Sequence, residues 1–207
     1  MGNFLSVISL NNIVIYLPQG LAVILLLGMA GWLLWKHTLP GPRALYSLLS
    51  LYIVLNLARG IFYSYVTYVG WQGNDLTKYW LPPHQPWYFY QHSLTEFFLP
   101  MGLNIALAVG WWLVLRFLYK KSNGDWIDKA EVALGLMTAA LVGWPGIFVY
   151  LAVMFVLMML WLVVLLITNR GAEVRVTITW PMLLAALVVL GGNTYVLAWL
   201  AQWGIKP

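Results

Sequence analysis

The sequence predicts an all-α fold, a polytopic bundle of about six transmembrane helices, on three observations. Six apolar runs occupy most of the 207 residues, at 13–35, 44–68, 94–118, 128–144, 146–168 and 180–201. Only 8% of the residues are charged against 62% hydrophobic, and the mean hydropathy is +0.81. The runs are continuous rather than alternating. A helix needs about 20 residues to cross the hydrocarbon core, and lipid forces backbone polar groups into helices or a closed barrel. Continuous runs of this length therefore read as helices.

The first run ends at Lys36, and the turn 36–43 that follows is forced tight by Pro40 and Pro42. The second, 44–68, is the longest once its polar continuation to 71 is included. A polar interval at 72–93 follows, carrying Pro82, Pro83 and Pro86 among Tyr79, Trp80, Trp87, Tyr88, Phe89 and Tyr90. This composition predicts a folded aromatic loop on the outer membrane face, covering either the helix ends or a partner. The third run leads through Lys120 and Lys121 into a loop at 119–130. The fourth, 128–144, is the weak member: it starts charged and ends at Trp144-Pro145-Gly146. It reads as a short, tilted span or as one arm of a helical hairpin with the fifth. Loop 169–179 precedes the last run. One transmembrane domain, 1–207, accounts for the whole length, without internal repeats.

Charge distribution predicts the orientation. Lys36, Arg43, Arg116, Lys120, Lys121, Lys129, Arg170 and Arg175 fall at the loops 1–2, 3–4 and 5–6, whereas Lys78 and Lys206 fall on the other side. The positive-inside rule then places the odd-numbered loops in the cytoplasm and both termini outside, in a bacterial inner membrane. The net charge of +5 is thus a topology signal, and no nucleic-acid partner is expected. Thirteen Trp, many near predicted span ends, fit interfacial belts. The absence of cysteine excludes disulfides, thiolate chemistry and cysteine-based metal sites. Met1-Gly2-Asn3-Phe4-Leu5-Ser6 has no basic segment or cleavage site, so no removable signal peptide is expected. It fits the N-myristoylation pattern, which is short enough to arise by chance.

Arg59 is the sharpest single residue, because a guanidinium within an apolar run costs ~2.5–3.5 kcal/mol at the bilayer centre and needs water or a partner. Tyr52, Asn56, Arg59 and Tyr63 recur at helical spacing on one face. Glu96 is the natural counter-ion, and Asn104 lies two turns deeper on the same line. An Arg59–Glu96 pair is expected between the second and third helices, either as packing or as part of a ligand site. Asp125, Asp128 and Glu131 cluster within seven positions on the cytoplasmic side. They are candidates for chemistry at the membrane face, or acids suited to a helix start. His84 and His92 could join a carboxylate in a metal site, although loop histidines are usually solvated. No histidine lies inside a run, which disfavours a transmembrane haem. No cofactor is expected; bound lipid is. Pairs such as Gly28 and Gly31, Gly102 and Gly110 with Ala106 between them, and Gly191 and Gly192 permit close helix approach.

The order of the C-terminal half resembles type IV prepilin peptidases, the GxGD-type intramembrane aspartyl proteases. Ala139-Ala140-Leu141-Val142-Gly143-Trp144 looks like the Gly-Trp end of the family's span after its GxGD motif. Thr177-Ile178-Thr179-Trp180-Pro181, after Asn169-Arg170-Gly171, takes the place of the proline element before the last helix. Leu39-Pro40 is similar to the turn after the family's first aspartate. The resemblance implies a six-span scaffold of the predicted orientation. It does not carry over the catalysis. Glu131 occupies the position of the GxGD aspartate without either glycine, the partner aspartate would fall near Leu33, and no acid precedes Asp75. A carboxylate dyad needs two adjacent carboxyls.

These readings predict a non-enzymatic membrane protein, a subunit or binding partner within a complex; the resemblance implies an inactive peptidase-like scaffold that holds another transmembrane segment. Its partners would be lipids, other integral membrane subunits or a transmembrane helix. The alternatives are a membrane-embedded enzyme using Asp125, Asp128 and Glu131, and a small transporter lined by Asn56, Arg59 and Asn104, although no inverted halves are visible. Pigment or quinone binding is allowed by the aromatic content but required by no residue pattern.

Overall fold

The computed structural model describes residues 20–81, 84–168 and 177–192. The acylation pattern, the start of the first run, Pro82, Pro83, Arg170, Arg175 and the end of the last run lie outside the described residues. Those described form helices α1 (Gly20–Lys36), α2 (Pro42–Gln72), α3 (Pro86–Ser93), α4 (Leu99–Lys121), α5 (Lys129–Val142), α6 (Ile147–Thr168) and α7 (Thr179–Gly191), with no strand among them. A π-turn, Leu94–Phe98, joins α3 to α4 in one continuous rod, Pro86–Lys121. Three helices are long and apolar enough to cross a membrane: Pro42–Gln72, Pro86–Lys121 and Ile147–Val164.

The predicted aromatic loop 72–93 is only partly a loop. A 3₁₀ turn forms at Thr77–Trp80, and from Pro86 the chain is already helical. Proline at the first helical position explains the start, since its missing N–H would have no partner there anyway. The loop folds back on the end of α2. The Trp71 ring lies 5.6 Å from Trp80, 5.9 Å from Phe89 and 5.1 Å from His92, while Leu81 is buried beneath. Thr77 Oγ1 donates to the Trp71 carbonyl at 3.1 Å, which also accepts the Asn74 N–H at 3.2 Å, so the turn closes on the end of α2.

The weak fourth run proves to be the centre of the molecule. At 14 residues α5 is about 21 Å long, short of the ~30 Å hydrocarbon core, and nearly every side chain on it is buried. It packs against α4, α2 and α7, and α6 returns from it across a turn to pack on α7. Small residues make this possible. Ala133, Gly135, Ala139 and Ala140 are all buried, which lets neighbouring backbones come close. Gly135 is the tightest point: a Cβ there would collide with Leu115 Cδ1 and crowd Met182 Cε at 3.3 Å.

Single polar ties stitch the helices together. Tyr150 Oη on α6 and Thr138 Oγ1 on α5 lie 2.8 Å apart, both buried. Asn104 Nδ2 on α4 donates to the Ala140 carbonyl at 3.0 Å, and Trp112 Nε1 on α4 donates to Tyr46 Oη on α2 at 3.3 Å. The other glycines have a different character. A Cβ at Gly28, Gly31, Gly102, Gly110 or Gly191 would meet nothing within 4 Å among the described residues, so no described helix packs closely on these positions.

Gly135→Val is expected to overpack the α4–α5 seam and cost about 1–3 kcal/mol, lowering the thermal unfolding midpoint of the detergent-solubilised protein. The same replacement at Gly102, where the space is open, should leave the midpoint unchanged.

Candidate functional site

The residues flagged by intramembrane polarity converge on one cavity of about 320 Å³ between α2, the π-turn with α4, and the end of α5. Tyr52, Asn56, Arg59 and Tyr63 come from α2, Glu96 from the π-turn and Asn104 from α4. Helical spacing puts the α2 four on one face, and the structure turns that face inward. Gly60 lets the two walls meet, because its missing Cβ leaves room for the Phe98 ring, whose Cε1 would otherwise lie 3.2 Å away. Next to it Tyr63 and Phe97 stack with ring centres 5.7 Å apart.

The expected Arg59–Glu96 ion pair is not formed, although both residues line the cavity. Among the described residues the direct ion pair is the exposed Lys78–Asp75, at 2.7 Å. Arg59 is half-buried, with its guanidinium over the Tyr63 ring at 5.5 Å, while Glu96 is exposed at the cavity edge. Asn56 Nδ2 donates to the Tyr52 carbonyl of its own helix at 2.9 Å. Two further atoms on the lining residues, Tyr63 Oη and Asn104 Oδ1, are buried and have no hydrogen-bond partner among the described residues. Leaving such a group unmatched costs about 1–3 kcal/mol, and buried polar groups in native proteins are nearly always matched.

The remaining wall was not evident from polarity. It is the turn from α5 to α6, with Gly143, Trp144 and Gly146 lining the cavity. Gly143 has φ +74 and ψ 175, a conformation that suits glycine alone. Its N–H donates to the Ala139 carbonyl at 3.1 Å while the amide of Asn104 serves Ala140. The last turn of α5 is thus capped from α4, which presses Asn104 against Gly143. The Gly-Trp-Pro-Gly sequence signals a turn, but only the fold shows that it faces Arg59.

The acidic cluster lies at the other end of α5 and none of it lines the cavity. Asp125 and Asp128 are exposed, whereas Glu131 is 3% exposed. Glu131 Oε2 accepts the Asp128 N–H at 2.9 Å within a capping box. Its Oε1 accepts the Ile178 N–H at 3.1 Å and the Thr179 hydroxyl at 2.8 Å. One carboxylate thereby caps the N-termini of both α5 and α7, where the helix dipoles favour negative charge. His84 and His92 stack against aromatic rings, 5.6 Å from Tyr79 and 5.1 Å from Trp71. No group of three candidate metal ligands forms around them among the described residues.

Comparison with known proteins found no matching family model, no matching curated protein and no matching solved structure.

Glu131→Ala should leave the buried Ile178 N–H and Thr179 hydroxyl unmatched and lower stability by about 2–3 kcal/mol, read as a fall in the detergent unfolding midpoint. Asp125→Asn, on an exposed side chain, should leave the midpoint where it is.

Proposed function

We propose that this chain is a non-catalytic integral membrane protein that binds another membrane component in the cavity between α2, α4 and α5. The observation that carries the reading is the set of polar groups there unmatched among the described residues: Arg59 without an ion-pair partner, and Tyr63 Oη and Asn104 Oδ1 buried without hydrogen bonds. An arginine inside a membrane-spanning segment is costly unless something answers it. A ligand that supplied acceptors and donors would answer all three at once.

The shortness of α5 supports the same view. In a six-span protein with both termini outside a bacterial inner membrane, the turn at Gly143–Gly146 falls short of the outer surface. Irregular backbone at that depth is tolerated where it is buried in protein or lines a hydrated cavity, and this turn lines the cavity. Saturation of Glu131 by three donors favours a holding role for this carboxylate over the activation of water. This is in keeping with a peptidase-like scaffold that has lost its chemistry.

A second reading, a subunit that docks a neighbouring transmembrane helix, is favoured by one feature of α4. Gly102, Ala106 and Gly110 are exposed at four-residue spacing, and a Cβ on either glycine would meet nothing within 4 Å among the described residues. Such a stripe lets another backbone approach closely.

A photoactivatable amino acid placed at Ile105, which lines the cavity, should cross-link a membrane component in intact cells. The same group at Gly102 should mark a protein neighbour if the second reading holds. Capture of nothing from position 105 would refute the cavity reading.

A further inference from the structure

The two walls of the cavity differ in hydrogen-bonding sense, and we propose that its ligand is a zwitterion, with an anionic group against Arg59 and an ammonium against Glu96. The inference rests on the reading of the cavity as a binding site and adds the chemistry of what it binds. The α2 wall carries the Arg59 guanidinium, which only donates, and beside it the Tyr63 hydroxyl, which can donate, buried and without a partner among the described residues. The wall formed by the π-turn and α4 offers acceptors: the Glu96 carboxylate, and Asn104 Oδ1, buried and equally without a partner. Asn104 is held with this oxygen free because its Nδ2 is committed to the Ala140 carbonyl.

Charge decides between ligand classes. A plain anion would match Arg59 but bring like charge towards Glu96, and a plain cation would do the reverse. A neutral apolar molecule would leave both ions and both orphaned atoms unanswered, at a cost that low-dielectric surroundings make large. A molecule with a phosphate or carboxylate at one end accepts charge-assisted bonds from a guanidinium. A primary ammonium at its other end is a charged donor for the Glu96 carboxylate, and a second polar group of the ligand would meet Asn104 Oδ1, two turns deeper. Phosphoethanolamine lipid headgroups and free amino acids share this chemistry; the first arrives from the bilayer, the second from water.

The test uses the full-length chain in mild detergent. Native mass spectrometry would compare retention of phosphatidylethanolamine with that of phosphatidylglycerol, which has the phosphate but no ammonium. Calorimetry would measure binding of O-phosphoethanolamine and of serine. Phosphatidylethanolamine should be retained about tenfold better than phosphatidylglycerol, the worth of one hydrogen bond to a charged group. Glu96→Gln should abolish that preference, while Arg59→Gln should weaken both lipids. Binding of a soluble zwitterion without lipid preference, dependent on both residues, would support the aqueous source. Equal retention of the two lipids by the unaltered protein, with neither soluble probe bound, would overturn the zwitterion and leave a binding cavity standing. Cross-linking of nothing from Ile105, with no probe bound, would remove the cavity reading as well.

Discussion

The rest of the structure depends on one constraint: a 14-residue helix, α5, is buried on every side and too short to reach both surfaces of a bilayer. A buried helix end is costly because four N–H groups and four carbonyls lack partners there. Other elements must supply them, and the neighbouring helices are placed where they do so. At the N-terminus Glu131 reaches back to its own cap and across to Ile178 and Thr179, so the start of α5 and the start of α7 share one carboxylate. At the C-terminus the amide of Asn104 and the N–H of Gly143 close the last turn. Between the ends, alanines and Gly135 bring α4 close enough for those reaches to be made.

The cavity is the other face of that arrangement. Because α5 stops early, the space beyond its last turn is not filled by helix, and α2 and α4 continue past it. Arg59, Glu96 and Tyr63 line this gap, and the floor is the turn at Gly143 and Trp144. The polar side chains of α2, the π-turn and α4 line this gap, which no described helix fills. The apolar surfaces of α4 and α6, where Val114, Phe117, Phe155 and Met159 are exposed, are the expected counterpart towards acyl chains or neighbouring helices.

Much of the fold was readable from hydropathy. Continuous apolar runs predict helices where the described residues form them, and the expense of polar groups in such runs singles out Tyr52, Asn56, Arg59, Tyr63, Glu96 and Asn104, which line one cavity. What failed to show is non-local. The length of 128–144 hinted at a short span, but its role as the core follows from what packs on it. The Asp128–Glu131 spacing is legible as a capping box; the bonds to Ile178 and Thr179, 47 and 48 residues on, are not. An opposite pair in one apolar region invites the assumption of a salt bridge, yet Arg59 and Glu96 line the same cavity without pairing. Aromatic residues at 87–90 looked like loop because proline precedes them, and the same Pro86 starts a helix.

The π-turn at Leu94–Phe98 has a geometric consequence of its own. An inserted residue advances a helical rod by about 100° without bending the chain away. The stretch before it, with Phe89 and His92, is clocked to the aromatic end of α2, and the stretch after it, with Asn104, to the end of α5. Two faces that a regular helix would hold in a single phase are thereby set independently. The wide turn is a phase shifter, and the side chains on the shifted segment, Glu96 and Phe97, are the ones delivered to the cavity.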